Sequence, residues 1–389
     1  MPLATPTQPG IPITPVTTSD SRGRIASVDA LRGFDMFWII GADALFHALN
    51  KLAGGDGTSV IGFFATQLDH VQWAGFRFYD LIFPLFVFIV GVSIVFALTK
   101  RIAEDGRASA TTQIFRRALI LYLFGIFSYE GLAKGWEGVR LLGVLQRIAI
   151  CYLITALAFV YLKPKSLVAL CASLLIGYWA LITFVPVPEF GAGNFAEGKN
   201  LANYIDKHYL PLFKWDGDHD PEGLLSTLPA IASCLLGVFA GLWLLRTDVD
   251  DRRKVTMLFA LGAASVVIGF LWGLQFPIIK KLWTSSFVLV AGGFSAMLLG
   301  LFYFVIDIKK MDWWATPFIW IGTNAITIYM LVHIVDLPQL AERIAGGPIK
   351  GWFDAIRPGF GDLVIALVAL AAAILFCRFL YRRRIFLKV

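Results

Sequence analysis

The chain has 389 residues, of which 58% are hydrophobic and only 16% are charged, and its mean hydropathy is +0.71. This balance excludes an ordinary soluble domain and indicates an integral membrane protein. The formal net charge is +7 at pH 7. Lys and Arg in so apolar a chain are signals of membrane topology, and they give no support to nucleic-acid binding.

Residues 1–24 are rich in Pro, Thr and Ser and contain no apolar core of seven residues, which predicts a disordered tail rather than a signal peptide. Residues 25–389 are predicted to form one all-α, polytopic transmembrane domain. A helix needs about 20 apolar residues to cross a bilayer. Apolar stretches near this length predict about ten helices, of which the third is short, at 33–49, 80–99, 118–129, 141–161, 167–187, 223–245, 255–273, 286–306, 315–335 and 361–380.

The distribution of Lys and Arg between alternate loops predicts the orientation of these helices. One set of loops, which includes both chain ends, holds 21 of these residues, and the other set holds 12. The positive-inside rule therefore places both termini in the cytoplasm. The long loops 50–79, 188–222 and 336–360 then face outward. An elaborated outer face is typical of a protein that receives a ligand from outside.

The sequence contains few signals of metal or soluble-enzyme chemistry. All four cysteines lie inside apolar runs without a C-x-x-C pair, which predicts buried thiols rather than disulfides or metal ligands. The chain has no P-loop, no H-E-x-x-H, no G-x-S-x-G and no dinucleotide-binding glycine motif. We therefore predict no metal site and no nucleotide or serine-hydrolase site of these kinds.

Several polar residues fall at one depth of the predicted bundle. Asp43 lies about six residues, or roughly 9 Å, below the outer end of the first helix, and Arg147 lies at a matching depth in the fourth. A lone charge at this depth is costly, which predicts that Asp43 pairs with Arg147 or with the nearby Gln146 and Asn324. Asp80 and Glu222 stand at the outer mouths of their helices, so we expect a polar vestibule there.

The first helix also predicts a polar path from the cytoplasm. Arg32, Asp43 and His47 are spaced by eleven and four residues, which places them on one stripe of a continuous helix. The ordinary structural interpretation is that Arg32 reaches lipid phosphates and Asp43 is a paired acid. Trp73, Trp215 and Trp283 lie in outward segments beside polar residues, where a ring can stack on a sugar or anchor the interface.

Six blocks of the sequence carry a resemblance to a known family: RIASVDALRG (24–33), DHVQWAGFRFYDLIFPLFVFIVGVSI (69–94), GVLQRI (143–148), HDPEGLLSTLPAI (219–231), KKLWTSSFVL (280–289) and TPFIWIGTNAITIY (316–329). In this order they resemble heparan-α-glucosaminide N-acetyltransferase. The chain is similar to a bacterial, NagX-type member of this transmembrane acyltransferase family, and the similarity extends over nearly everything after residue 24.

The resemblance implies a membrane-embedded enzyme that uses cytoplasmic acetyl-CoA to acetylate an amino sugar on the periplasmic side. It places the family's active-site histidine on His70. An asparagine of the family's first helix corresponds to Asp43, and an aspartate there can orient His70 and stabilise its protonated form. The family's ninth-helix motif is represented here only by His333, slightly out of register. The resemblance also implies a homodimer, and the bacterial inner membrane is our expected location.

The remaining roles follow from the chemistry of acetyl transfer, which needs a base, an oxyanion donor and orientation of the acceptor. His70 is the predicted base, although a covalent acetyl-histidine intermediate remains an alternative. Arg32, Arg116 and Arg117 are predicted to meet the phosphates of acetyl-CoA. The oxyanion and acceptor contacts are predicted among Asp80, Gln146, Arg147, Glu222, Trp283 and Asn324. A secondary transporter of amino sugars is the alternative function, and the sequence shows no pair of broken helices in corresponding halves.

Overall fold

The regular secondary structure of the described residues is helical, apart from two isolated β-bridges in loops. The computed structural model describes residues 25–387 except 56, 58 and 130, so the predicted tail at 1–24 lies outside the described residues. The helices are α1 (Ala26–Phe37), α2 (Asp43–Leu52), α3 (Val60–Gln67), α4 (Phe78–Ser128), α5 (Val144–Tyr161), α6 (Pro164–Phe184), α7 (Leu201–Tyr209), α8 (Thr227–Leu245), α9 (Asp251–Gly273), α10 (Ser285–Phe302), α11 (Thr316–Gly322), α12 (Ala325–Val335), α13 (Leu337–Ala345), α14 (Pro348–Ile356) and α15 (Phe360–Arg382).

Seven of the helices in the described residues are long and apolar enough to cross a membrane, and the bent pair α11 and α12 makes a possible eighth. The seven include α4, α5, α6, α8, α9 and α15, together with α10 and the π-helical turn that continues it to Ile308. This count is lower than the ten predicted spans for three reasons. Two of the predicted spans lie within α4, the first predicted span is interrupted, and the ninth is the bent pair α11 and α12.

Helix α4 contains two membrane-length arms joined at Gly106. It has 51 residues, which at 1.5 Å per residue exceeds twice the thickness of the hydrocarbon core of about 30 Å. Gly106 has φ 78° and ψ 173°, a conformation that breaks the helix and suits glycine. Leu98 and Arg117 line one cavity, although they would lie about 28 Å apart in a straight helix. The second arm therefore folds back along the first, where the short third span was predicted.

The first predicted span, 33–49, is broken rather than continuous. Helix α1 is followed by a π-helical turn, Trp38–Ala42, in which Gly41 has φ 123°. The chain then resumes as α2. The predicted stripe of Arg32, Asp43 and His47 is consequently wrong, because a helical face is not continued through such a break. A second break separates α11 from α12, which meet at an angle of 75° beside Asn324.

Glycines set the closest helix crossings of the bundle. A Cβ atom on Gly91 of α4 would lie 1.9 Å from the carbonyl oxygen of Cys234 on α8, and one on Gly237 would lie 1.9 Å from that of Phe88. Gly33 of α1 likewise packs against the backbone of α11 at Phe318. Small residues let backbones approach in this way in membrane helices, where dispersion contacts provide most of the attraction. The α4–α8 crossing fixes the helix on which the candidate site stands.

Three loop segments meet at one end of the bundle, which we call the loop face: residues 69–77, 194–222 and 277–284. The backbone N–H of Gly75 donates to the carbonyl of Ile278 at 2.9 Å, and Ala74 forms an isolated antiparallel bridge with Ile279. The indole N–H of Trp73 donates to the carbonyl of Phe195 at 2.9 Å. These contacts hold residues that are far apart in sequence at one end of α4.

We expect Gly91→Ala to lower the thermal stability of the purified protein by several degrees, because the added methyl group meets backbone and the helices have to separate. Overpacking of this kind typically costs about 1–3 kcal/mol. Gly177→Ala on α6 is the matched control, because nothing lies within 4 Å of its added Cβ. The measurement is thermal unfolding in detergent. Equal melting temperatures for the two variants would contradict the close α4–α8 crossing.

The predicted orientation is tested by cysteine labelling in intact cells, since all four native cysteines are buried and give little background. We expect Glu189→Cys, in the loop before α7, to react with an impermeant maleimide. Arg107→Cys, next to the Gly106 break, should react only after permeabilisation. The reverse pattern would invert the orientation, and equal reactivity would contradict a membrane-spanning arm between Asp80 and Gly106.

Candidate active site

A histidine and a buried aspartate form the centre of the loop face. The Nδ1 atom of His70 lies 2.9 Å from Oδ1 of Asp80. The imidazole is half-exposed, at 51%, whereas the Asp80 side chain is fully buried. When Nδ1 carries its proton and donates to Asp80, Nε2 is left with its lone pair. Asp80, predicted to contact substrate at the helix mouth, is therefore placed as the partner that orients His70.

The start of α4 positions this aspartate. Asp80 stands in the first turn, and its Oδ2 accepts the backbone N–H of Arg77 at 3.1 Å and that of Val71 at 3.4 Å. A carboxylate is favoured in this position because the first N–H groups of a helix have no intrahelical partner and the helix dipole is positive there. Since both oxygens are engaged, the imidazole is aligned from a rigid helix end rather than from a mobile loop.

Lys280 is a component of this centre that the sequence reasoning did not include. Its ammonium lies 3.0 Å from Nδ1 and 3.2 Å from Nε2 of His70, and 3.6 Å from Oδ1 of Asp80. Because the ammonium is about equally distant from both ring nitrogens, it is not bound to the lone pair of either one alone. Burial lowers the pKa of Lys280, against the opposing effect of Asp80 and Glu222. The available signal was the KKLWTSSFVL block, which carries part of the family resemblance but from which only Trp283 was assigned a role.

Asp43 reaches His70 only through a tyrosine. Its Oδ2 accepts the hydroxyl of Tyr79 at 3.0 Å, and the Tyr79 ring lies against the imidazole with a centroid separation of 4.8 Å. The predicted direct contact of Asp43 with His70 is thus replaced by Asp80. The predicted Asp43–Arg147 pair is also wrong, because each side chain has other partners.

Arg147 is fully buried beneath the loop face. Its Nη2 donates to the hydroxyl of Ser226 and to the carbonyl of Gly223, and its guanidinium lies 5.0 Å from the centre of the Trp283 ring. Trp283 is only 1% exposed and packs between Arg147 and neighbouring phenylalanines. The ring has no open face for the predicted sugar stacking. These two residues therefore support the loop face from below.

An ion cluster adjoins this support. Arg140 makes a two-pronged contact with Asp220, at 2.9 and 2.6 Å, and also contacts Glu222 at 2.5 Å. Although burial lowers the pKa of Arg140, its bonds with these acids raise it above the ordinary value overall. The predicted residue Gln146 donates to the Arg140 carbonyl at 3.0 Å. Glu222 was predicted, whereas its partner Arg140 was not, because loop arginines are usually topology signals.

Aromatic rings line the same cluster. The guanidinium of Arg140 lies 4.6 Å from the centre of the Tyr129 ring and 5.1 Å from that of Trp215. Trp215 is 58% exposed. An exposed ring beside carboxylates is suited to stack on a sugar and to attract an amine. Trp215, rather than Trp283, is therefore the tryptophan available to a ligand.

The loop that carries Asp220 and Glu222 is fixed by a buried acid. Asp206 on α7 accepts the backbone N–H of Leu224 at 2.9 Å and that of Asp220 at 3.4 Å. Burial raises the pKa of Asp206 to about 6. Because Asp206 binds backbone N–H groups, it fixes the loop and leaves the side chains of Asp220 and Glu222 available to Arg140.

Two buried polar groups lie on the broken helices. Asn324, at the bend between α11 and α12, is 3% exposed, and neither of its amide atoms has a hydrogen-bond partner among the described residues. Both carboxylate oxygens of Asp35 on α1 are also buried without a hydrogen-bond partner among the described residues. Buried polar atoms are normally satisfied, so these groups mark the broken helices as a polar interior region. Within the described part of the chain, no hydrogen bond joins Asn324 to His70.

The three residues predicted to bind acetyl-CoA fall in two places. Arg116 and Arg117 line adjoining clefts of about 450 and 170 Å³ next to the Gly106 break, together with Lys100 and Arg101. Arg32 instead donates to the Ser93 hydroxyl at 2.7 Å and to Asp29 at 3.1 Å. Along α4, Ser93 lies about 20 Å from Asp80 and Arg101 lies about 32 Å away.

His333, which the resemblance placed at the ninth-helix motif, lies on α12. Its ring nitrogen Nδ1 forms a hydrogen bond with the carbonyl of Tyr329.

Comparison with known proteins identifies the family. The family model described as "Heparan-alpha-glucosaminide N-acetyltransferase, catalytic" matches residues 24–274. The chain is 29% identical over 383 residues to the Homo sapiens protein named heparan-alpha-glucosaminide N-acetyltransferase, covering 82% of this chain and 55% of the human protein. It is 26% identical over 437 residues to the Mus musculus protein of the same name, covering 96% of this chain and 62% of that protein.

The chain spans less than two thirds of the length of either relative. The family match nevertheless covers more than half of the chain and includes the histidine–aspartate centre and the Arg140 cluster. The chain belongs to the heparan-alpha-glucosaminide N-acetyltransferase catalytic family.

Proposed function

We propose that this protein is a membrane acetyltransferase that moves an acetyl group from cytoplasmic acetyl-CoA to an amino sugar at the periplasmic side of a bacterial inner membrane. The observation that carries the proposal is the contact of His70 with the buried Asp80, which leaves one imidazole nitrogen available as a base. Membership of the family supports the reaction class, and the name of the relatives supports a glucosamine-type acceptor.

The chemistry follows from this arrangement. The amino group, after its ammonium form has released one proton to solvent, attacks the thioester carbonyl carbon, and Nε2 of His70 takes the second proton that the nitrogen loses. The Lys280 ammonium is placed to stabilise the negative charge that develops on the carbonyl oxygen. Collapse of the tetrahedral intermediate breaks the carbon–sulfur bond. The proton then passes from His70 to the departing thiolate, giving free CoA and the acetylated sugar.

A two-step version of this transfer uses the same residues. Nε2 of His70 first attacks the thioester and carries the acetyl group, and the acceptor then attacks the acetyl-imidazole. The half-exposed position of His70 is compatible with both routes. Label that the protein carries after incubation with acetyl-labelled acetyl-CoA and no acceptor, that hydroxylamine releases and that is missing from His70→Ala, would select the two-step route.

The acceptor is proposed to bind between His70 and the Arg140 cluster. Exposed Trp215 provides a stacking surface, and the carboxylates of Asp220 and Glu222 offer hydrogen-bond acceptors to an amino group. Arg140 holds both acids, and Arg147 and Lys280 also act on Glu222. The ring and the carboxylate oxygens together suit the sugar and amino parts of the acceptor.

The donor is proposed to bind by its phosphates at the cleft beside Gly106. Of the two adjoining clefts there, the smaller is lined by Lys100, Arg101, Arg117 and Glu104, and the larger by Arg101 and Arg116. Charge-assisted bonds from Arg to phosphate are among the strongest available. Arg32 of α1 contacts Ser93, which lies closer to Asp80 along α4 than the clefts do. Arg32 is therefore the second candidate for the phosphate contact. The residues around the break thus fit the chemistry of a phosphate-bearing substrate.

The direct test is transfer of labelled acetyl groups from acetyl-CoA to glucosamine-type acceptors by the purified protein. We expect His70→Ala to lower kcat by at least 100-fold, since a positioned base typically contributes about 10²–10⁴. His208→Ala is the matched control, because His208 is an exposed histidine of α7 that bonds to a backbone carbonyl. Near-normal turnover by His70→Ala would contradict the base assignment.

Asp80 and Asp43 are separated by the effect of their asparagine variants. We expect Asp80→Asn to lower kcat by roughly 10²–10⁴, because an amide does not select the imidazole tautomer that a carboxylate selects. Its pH–rate profile should also move the acidic limb to lower pH, since a neighbouring anion has been removed. Asp43→Asn, which acts through Tyr79, should cost about tenfold or less. The opposite ranking would return the orienting role to Asp43.

The donor site is tested by the double variant Arg116→Gln/Arg117→Gln. We expect a rise of at least tenfold in KM for acetyl-CoA with little change in KM for the acceptor, since two phosphate contacts are lost. Arg32→Gln is measured in parallel. If the KM for acetyl-CoA is unchanged in the double variant and raised in Arg32→Gln, the donor phosphates bind at the level of Ser93 and not at the clefts.

An amino-sugar carrier is the second candidate function. The observation in its favour is that α1 and α11 are both broken and pack against each other through Gly33 and Gly322, as substrate sites of transporters often are. The two breaks lie in the first and ninth predicted spans, which are not corresponding positions of two five-helix halves. Uptake of glucosamine into vesicles without acetyl-CoA would favour the carrier.

A further inference from the structure

A histidine next to the active-site loops has a metal-ligand geometry that acetyl transfer does not use. His219 follows three residues after Asp216 in the loop before α8, and its side chain is only 7% exposed. Its Nδ1 lies 2.7 Å from Oδ1 of Asp218. A carboxylate on one ring nitrogen fixes the tautomer and leaves the other nitrogen as a lone-pair donor, which is the usual arrangement of metal-binding histidines.

The free nitrogen of His219 points at two carboxylates. Its Nε2 has no hydrogen-bond partner among the described residues. It lies 3.7 Å from Oε1 of Glu197 and 3.8 Å from Oδ2 of Asp216. The three atoms all lie within 4.8 Å of one another. These separations are too long for hydrogen bonds, and a small ion between the three atoms would shorten the gap.

A positive charge already sits between the two carboxylates. The ammonium of Lys281 lies 2.9 Å from Oε1 of Glu197 and 2.8 Å from Oδ2 of Asp216. The Lys281 side chain is 32% exposed. A flexible lysine with access to solvent is able to leave, so that a cation of higher charge takes its place. The two acids and the lysine therefore define a position that favours a cation.

We propose that Glu197, Asp216 and His219 bind a divalent transition-metal ion, with Zn²⁺ the best match, and that Lys281 occupies the position of the ion when the metal is absent. One imidazole and two carboxylates suit Zn²⁺, whereas Mg²⁺ and Ca²⁺ take oxygen ligands. Zinc bonds of about 2.0–2.2 Å require ligand atoms roughly 3.3–3.6 Å apart in a tetrahedron. The carboxylate side chains have to close by about 1 Å.

The position of this site gives the metal a role in the loop face. Glu197 lies two residues after Phe195, whose carbonyl accepts the Trp73 indole, and Lys281 follows Lys280, which contacts His70. A bound metal would tie the loop of Glu197 to the loop of Asp216 and His219 beside the catalytic histidine. Release of Lys281 would occur next to the residue that we place at the oxyanion.

The test is calorimetric titration of Zn²⁺ into EDTA-treated, full-length protein in detergent, with Mg²⁺ and Ca²⁺ as comparison ions. We expect one Zn²⁺ per chain and no measurable heat from the other two ions. His219→Ala should weaken Zn²⁺ binding at least tenfold, and Asp218→Asn, which acts on the orientation of His219, by about tenfold. His208→Ala and His70→Ala should leave the Zn²⁺ affinity unchanged.

Lys281→Gln distinguishes a metal site from a simple ion-pair network. If Lys281 competes with the metal, this variant should bind Zn²⁺ severalfold more tightly than the original protein. Lys281→Gln leaves the three proposed ligands intact. As a control for folding, all variants are compared only as monodisperse samples. No Zn²⁺ binding by either protein would overturn the proposal. Binding that persists in His219→Ala would identify an adventitious ion only and overturn it as well.

Discussion

The contact of His70 with Asp80 depends on where α4 begins. Asp80 is held by backbone N–H groups of the first turn, and α4 is fixed in turn by its close crossing with α8 through Gly91 and Gly237. The position of the imidazole is therefore set by a helix end inside a packed bundle. The neighbouring loops attach to the same end through Gly75 and Ile278, which brings Lys280 against His70.

The helices were largely predictable because apolar length is a strong signal, and the short third span at 118–129 was predicted where the second arm of α4 ends. The break at Gly41 was not, because a π-helical turn leaves the apolar pattern intact. The sequence also pointed to His70, Asp80 and Glu222, which the structure places at the loop-face end of the bundle. Their partners were assigned by depth along straight helices, and this method paired Asp43 with Arg147 and overlooked Lys280 and Arg140, which reach the site from loops.

The depth of the predicted donor residues raises a physical constraint. The hydrocarbon core is about 30 Å thick, and the basic cleft lies about 32 Å along α4 from Asp80. The broken helices carry buried polar groups within this depth: Arg32 of α1 contacts Ser93 of α4, and Asp35 and Asn324 have polar atoms without partners among the described residues. Irregular backbone is tolerated at membrane depth where it lines a cavity or is buried in protein.

Reconstitution into proteoliposomes of uniform orientation tests this account most directly, with acetyl-CoA and the amino sugar placed on chosen sides. The account predicts acetylation when acetyl-CoA is on the side of the Gly106 cleft and the acceptor is on the side of His70, with loss of product in His70→Ala vesicles. Product formed only when both reactants are on the same side would contradict transfer across the membrane.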